Sequence, residues 1–237
     1  MVGVTAEGVR ARVRAELTEE IKAVARRHLA ESGAAALSLR AVARDVGMVS
    51  SAVYRYFPSR DDLLTALIVD SYLSLGEEVH AAAQRRGGVE HRFLACGHAV
   101  REWAVARPHE WALLFGSPVP GYAAPEDTID PAAVAPLALL TVVAEGVDTG
   151  AITSVGAAPR SLRSDMARLR ADTGFDIPDD VLVRALGAWA TLIGLVSVEL
   201  FGHTKNVVTD HAAFFDIQQR AVWEAVAGGI EIPRDER

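Results

Sequence analysis

Apolar residues recur at three- and four-residue intervals over most of the chain, which is the spacing of an amphipathic helix. The first clear helix is predicted to begin at Thr18, a candidate N-cap that Glu19 and Glu20 follow in the first turn. It is predicted to end at Ser32 and Gly33, because glycine commonly terminates helices. The residues on its apolar face are Ile21, Val24, Ala25 and Leu29.

Two short helices are predicted to follow. Ser38 caps the first of them, and Gly47 ends it because glycine adopts a positive φ without steric cost. Ser50 is predicted to cap the second, which covers residues 50–56. Pro58 limits that helix, since the residue before a proline disfavours helical geometry.

A long fourth helix is predicted from Ser59 to about Arg86. Ser59 and Asp62 have the three-residue spacing of a capping box at its start. The spacing stays helical beyond it, and no alternating strand pattern competes, so the predicted fold is all-α. The remaining predicted helices cover residues 90–107, 108–116, 131–151, 160–172, 179–202 and 210–228.

Composition favours a folded, soluble, cytoplasmic protein. Of the 237 residues, 50% are hydrophobic, which is enough for a sizeable core. No stretch of about 18 uncharged apolar residues occurs, since the most apolar run, Ala185 to Leu200, contains Glu199. We therefore expect no membrane partner. The single cysteine, Cys96, is predicted to be a small core residue rather than a reactive thiol.

Charge is divided unevenly along the sequence. Residues 1–60 contain ten Lys or Arg and six Asp or Glu, a net charge of +4. The whole chain carries −7, so the other 177 residues carry −11. A basic N-terminal region on an acidic body favours binding to a polyanion through that region, although a chance surface imbalance gives the same totals.

The two short helices have the layout of a helix-turn-helix, in which the second helix enters the major groove of DNA. Val53 and Phe57, four residues apart, are predicted to face the core, which turns Ser51, Tyr54 and the residues beside it elsewhere. Hydroxyl, phenol and guanidinium groups bind phosphate oxygens and base edges. The alternative for the two tyrosines is that they close the apolar core of this region.

Residues 18–68, with LSLRAVARDVGMVSSAVYRYFPSRDDLL at their centre, resemble the DNA-binding domain of the TetR family of bacterial transcriptional regulators. The family more often has His at the position of Tyr56 and Lys at that of Arg60. The resemblance implies DNA contacts from Ser38, Arg40, Ser50, Ser51, Tyr54, Tyr56 and Arg60, to which we add Arg55.

The resemblance also implies a DNA-binding domain with an N-terminal arm over residues 1–60 and a ligand-binding and dimerisation domain over 61–237. AWATLIGLVSVELFG is similar to a subgroup marked by Trp, His and Gly: Trp189 and Gly194 match, whereas Ile193 stands at the His position. The apolar bands of the last two helices predict a homodimer interface, the alternative being an ordinary buried helix pair. Its candidate residues are Leu182, Ala185, Leu186, Trp189, Leu192, Ile193, Val196, Phe214, Phe215, Ala221 and Val222.

Family members keep a cavity for a small effector, and bulky apolar residues predict its walls here, although each of them could instead be core. The candidates are Phe93, His98, Trp103, Trp111, Phe115 and Met166. His91 and His98 lie near one helix face, but no third ligand at metal-like spacing accompanies them, so we expect neither a metal nor a cofactor. The expected partners are double-stranded operator DNA, a small hydrophobic effector and a second copy of the chain.

The resemblance implies a repressor that an effector releases from a palindromic operator. A ligand-independent DNA-binding or architectural protein is the nearer alternative. A helical enzyme is a remote one, because the sequence contains no nucleophile elbow, phosphate-binding glycine loop or paired metal motif.

Overall fold

The protein is all-α in the computed structural model, which describes residues 6–229, and no strand occurs within them. This confirms the predicted fold class. The ten helices of the described residues are α1 (Ala6–Ser32), α2 (Leu39–Asp45), α3 (Ser50–Val53), α4 (Arg60–Ala83), α5 (Val89–Ala106), α6 (Pro108–Phe115), α7 (Ile129–Asp148), α8 (Arg163–Thr173), α9 (Asp179–Leu200) and α10 (His211–Glu224). Each corresponds to a predicted helix.

The start of α1 was predicted wrongly. The helix begins at Ala6, twelve residues before Thr18. Thr18 lies inside it, and its hydroxyl donates to the carbonyl of Arg14 at 2.9 Å. Threonine can bond the carbonyl four residues back within a helix, so its presence alone did not mark a helix start.

The third helix was also predicted too long. Its regular part ends at Val53, and the chain then turns through Tyr54 to Tyr56. Val49, not Ser50, takes the N-cap position. The predicted capping box of α4 is confirmed, because the Asp62 amide donates to the Ser59 hydroxyl, which donates in turn to the Asp62 carboxylate.

The chain divides into two compact units. The first comprises the residues up to 71 together with 107–129, so it includes α1 to α3, the first half of α4, and α6. Its core contains Ile21, Val42, Val53, Phe57 and Leu63, among others. The packing units thus divide elsewhere than at residue 60, and the predicted functional domains remain a prediction.

Polar contacts tie three helices of the first unit together. Asp70 on α4 accepts from Lys22 at 2.8 Å and from Arg26 at 2.6 Å, both on α1. Burial acts to lower the pKa of Lys22, but its hydrogen bonds to Asp70 and Glu19 outweigh it and leave that pKa raised. The hydroxyl of Ser71 donates to Glu110 of α6 at 2.8 Å. These contacts hold α1, α4 and α6 against one another.

The second unit comprises residues 72–106 and 130–237, of which the structure describes those up to 229. Phe93 and Trp223 lie in contact within it, with ring centroids 5.3 Å apart. Gly97 is needed where α5 meets α10, because an added Cβ would lie 2.4 Å from the Gln219 side-chain oxygen. The second unit therefore depends on close packing between α5 and α10.

A buried polar network lies at the start of α9. Asp180, 1% exposed, accepts hydrogen bonds from Ser154 and from the Val155 amide, at 2.7 and 2.9 Å. It also pairs with Arg184 at 3.1 Å. Burial acts to raise the pKa of Asp180, but these hydrogen bonds outweigh it and hold the pKa below its usual range. Arg184 itself donates to the carbonyls of Thr153 and Val226.

Two helical segments are long and apolar enough to cross a membrane by length and composition alone. They are residues 126–148, with a mean hydropathy of 1.5, and α9, with 1.9. Core helices of soluble proteins give the same values. The search over sequence windows missed them because both tolerate a few charged residues.

Candidate nucleic-acid interface

A tight turn sets the angle between α2 and α3. Gly47 adopts φ of 77°, a left-handed conformation that favours glycine. The Met48 amide donates to the Ala43 carbonyl at 2.8 Å, which closes the turn. The glycine that ends α2 in the sequence prediction therefore has the conformation expected of it.

One side of α3 is held in the core. Val53 is fully buried and Phe57 is 6% exposed, which confirms that these two residues face inward. The Phe57 amide donates to the Val53 carbonyl at 3.0 Å, so the chain stays coiled through the turn after α3. This anchoring fixes which side chains α3 presents outward.

The outward side chains around α3 are polar. Ser50, Ser51 and Arg55 are exposed, and Tyr54 is 42% exposed. On α2, Arg40 is exposed. The set combines hydroxyl, phenol and guanidinium groups, which are the groups that bind phosphate oxygens and base edges.

Ser38 lies at the start of α2 in an extended conformation, with φ of −134° and ψ of 121°. Its backbone position is that of an N-cap, as predicted, but its hydroxyl makes no capping hydrogen bond. The helix therefore does not use that hydroxyl, which is what a contact with a phosphate requires.

Tyr56 has a double environment. Its ring is half-buried and packs against the core of the first unit, in agreement with the alternative that it helps to close that core. The guanidinium of Arg14 lies over the same ring, 5.0 Å from its centroid. Sequence patterns did not identify Arg14 because α1 was predicted to begin after it.

Arg60 is more constrained than the resemblance implies. Its guanidinium donates to the carbonyls of Ala34, Ala35 and Leu37, at 2.9, 3.3 and 3.2 Å. It also lies 3.5 Å from the Asp61 carboxylate. Arg60 thus braces the segment between α1 and α2, and its contact with DNA stays a prediction.

A hydrogen bond also fixes the end of α2 to α1. The His28 ring and the Asp45 carboxylate lie 2.7 Å apart. This hydrogen bond is the main cause that lowers the pKa of Asp45. The two helices that support the turn at Gly47 are therefore joined by polar contacts as well as by packing.

The candidate effector residues fall into both packing units. Trp111 and Phe115 belong to the first, with ring centroids 4.4 Å apart. The second holds Phe93, His98, Trp103 and Met166. Four of the six are buried, namely Phe93, Trp103, Trp111 and Met166. Among the residues that the structure describes, no group of three or more His, Cys, Asp or Glu side chains could hold a metal ion.

The candidate dimer residues also differ in exposure. Leu186 is 43% exposed, Ala221 is exposed, and Trp189, Ile193, Phe214 and Val222 are half-buried. The others are buried within the chain itself: Leu182, Ala185, Leu192, Val196 and Phe215. Burial within the subunit gives these five a core role and leaves the first group as the outward face.

Two family models match the chain. One, described as bacterial regulatory proteins of the tetR family, matches residues 21–67. The other, described as a tetracyclin repressor-like C-terminal domain, matches residues 93–222. The first match contains α2, α3 and the turn between them, and the second contains most of α5 to α10.

Similar proteins are known from other bacteria. The HTH-type transcriptional regulators Rv1816 of Mycobacterium tuberculosis and Mb1846 of Mycobacterium bovis are each 41% identical over 225 residues, covering 93% of this chain and 96% of theirs. Among solved structures, SCO4313 is 34% identical with a TM-score of 0.73, and the match covers 90% of this chain and 97% of that one. A Rhodococcus sp. RHA1 protein of unknown function shares the fold, with 23% identity and a TM-score of 0.68 over 89% of this chain and 95% of its own.

Proposed function

The chain belongs to the TetR family of bacterial transcriptional regulators, and from that membership we propose that it is a homodimeric repressor released from a palindromic operator by a small hydrophobic effector. The proteins that it resembles are regulators rather than enzymes. Because its target is chromosomal DNA, we propose that it acts in the cytoplasm.

The observation that carries the proposal is the polar surface of α3. Ser50, Ser51, Tyr54 and Arg55 project from a short helix whose opposite side is anchored by Val53 in the core. A rigid element that presents such groups suits the major groove, where a helix can contact base edges and phosphates together.

Dimerisation has separate support. Leu186 on α9 is 43% exposed although it is apolar, and Trp189 and Ile193 are half-buried. Gly187 and Gly194 lie beside them, and an added Cβ at either would meet no other atom within 4 Å. A second copy of α9 could approach this face closely and remove its apolar area from water.

Release by an effector is proposed to act through α4. This helix runs from Arg60, beside the α1–α2 segment, to Ala83, and it contributes residues to both packing units. A dimer binds both half-sites only while its two α3 helices keep a spacing of about 34 to 36 Å. Linkage requires that operator DNA weaken effector binding by the same factor by which the effector weakens DNA binding, typically about 5- to 150-fold.

The test is selection of DNA from a random library by the full chain, followed by footprinting and sedimentation of the same sample. We expect one palindrome with half-sites about one helical turn apart and a dimer at micromolar concentration. A monomer that selects no palindrome would contradict the proposal. Uniform protection of unrelated sequences would favour the architectural alternative.

A further inference from the structure

The first fifteen residues of α1 extend beyond the part that builds the core. The helix begins at Ala6, whereas its first buried residue is Ile21. None of the residues from 8 to 20 is buried. At about 1.5 Å per residue, this extension is roughly 20 Å long. Packing in the first unit does not account for it.

Arg14 attaches this extension to α3. Its guanidinium donates to the Arg55 carbonyl at 2.9 Å and lies over the Tyr56 ring at 5.0 Å. Both partners follow directly on α3, and Arg14 remains exposed. The extension therefore passes beside the end of the helix that is proposed to enter the major groove.

Arg10 lies on the same face of α1, one turn earlier. Residues four apart on a helix are neighbours on its surface, and at 100° per residue Arg10, Arg14 and Ile21 fall within about 40° of one another. Arg10 is exposed and forms no ion pair with any described side chain. Arg12 lies on the opposite face and pairs with Glu16 at 3.6 Å.

We propose that Arg10 and Arg14 bind sugar-phosphate oxygens next to the base pairs that α3 contacts, so that the start of α1 is a second DNA-binding element. This rests on the proposed function, because it requires α3 to lie on DNA. Two guanidinium groups on the face of α1 that leads to α3 suit phosphate oxygens, which arginine binds strongly. The contact adds affinity without reading sequence.

Arg10→Ala tests the proposal, and Arg12→Ala is its matched control. Alanine preserves helix propensity, and circular dichroism and thermal melting verify that both variants fold. Affinity for the selected operator is measured at several salt concentrations. A dimer loses two phosphate contacts in Arg10→Ala, so the slope of log K against log salt should become shallower by about 1.8. Arg12→Ala should keep the wild-type slope.

Arg14→Gln gives an independent measurement. The amide of glutamine retains a donor for the Arg55 carbonyl but has no charge, so α3 keeps this brace while the phosphate contact is lost. We expect a shallower salt slope here too, and loss of ethylation interference at the same flanking phosphates as in Arg10→Ala.

The outcomes separate this inference from the proposed function. A wild-type chain that selects no DNA overturns both. Wild-type binding to a palindrome, with equal affinities and salt slopes for Arg10→Ala and Arg12→Ala, overturns the second DNA-binding element alone. An Arg10→Ala effect confined to particular base pairs overturns the assignment to phosphate.

Discussion

The surface around α3 in the first unit exposes hydroxyl, phenol and guanidinium groups, whereas the surface of α9 in the second unit exposes apolar side chains. Tyr54 and Leu186 represent the two surfaces, with exposed fractions of 42% and 43%. Their chemistry differs: the first suits a charged, hydrated partner and the second suits another apolar surface.

The buried polar groups show the reverse distribution. In the second unit, Asp180 and Arg184 are almost fully buried and are bonded to each other and to backbone groups. In the first unit, the described core residues are apolar, and the ion pairs of Asp70 with α1 lie nearer the surface. Polar groups thus stabilise the inside of the second unit, while those around α3 stay available for a ligand. The predictions below test that difference.

The largest expected effect is on stability, from Arg184→Ala. The substitution leaves Asp180 buried without its ion-pair partner, and removing one member of a buried pair typically costs about 3–5 kcal/mol. We expect thermal and denaturant unfolding to show that loss. The control is Arg168→Ala, whose pair with Asp165 spans 2.8 Å between largely exposed side chains. Such a surface pair contributes about 0–1 kcal/mol, so equal losses in the two variants would contradict a structural role for the buried network.

The next largest effect is expected from Leu186→Arg. A charged side chain on the exposed α9 face should prevent association and give a monomer in sedimentation velocity. A monomer has one α3 helix, so operator affinity should fall by about 100-fold or more through lost bivalency. Leu73→Arg is the matched control, because Leu73 is 42% exposed but lies on α4. If both variants stay dimeric, the α9 face is not the interface.

Tyr54→Ala should have a smaller effect, confined to DNA. Tyr54 is 42% exposed, so its loss should leave the melting temperature almost unchanged. A contact to a base edge or a thymine methyl typically contributes about 1–3 kcal/mol, which predicts weaker operator binding by about tenfold. Tyr54→Phe separates the ring from the hydroxyl. Wild-type affinity of Tyr54→Ala at two salt concentrations would remove this residue from the interface.

Local signals in the sequence sufficed for the helix-turn-helix. Gly47, Ser59 and Asp62 act on backbone within a few residues, and each has its predicted local role. The start of α1 was missed because Thr18 has an alternative hydrogen bond inside a helix. The spacing of Val9, Val13 and Leu17, four residues apart and leading to Ile21, was the signal that could have revealed it.

Contacts between distant segments were beyond reach of the pattern. Arg60 bonds carbonyls more than twenty residues earlier in the chain, at Ala34, Ala35 and Leu37. Likewise, the apolar period of α9 indicates an amphipathic helix but does not distinguish buried Leu182 from exposed Leu186. That distinction depends on which other helices cover each face.

The smallest effect is expected at Cys96, where exposure of the unmodified protein to a thiol reagent should change nothing. Cys96 is 1% exposed, and burial raises the pKa of its thiol to about 12. Because the thiolate is the reactive form, it should be scarce at pH 8, and access is blocked as well. We expect no reaction with an aromatic disulfide reagent in the folded protein and one thiol per chain after denaturation. The buried thiol should follow unfolding of the second unit, so destabilisation by Arg184→Ala should speed its modification, whereas Tyr54→Ala should not. Rapid modification of the folded wild type would show that the second unit opens around α5, and would weaken the contrast between its closed interior and the accessible polar groups at α3.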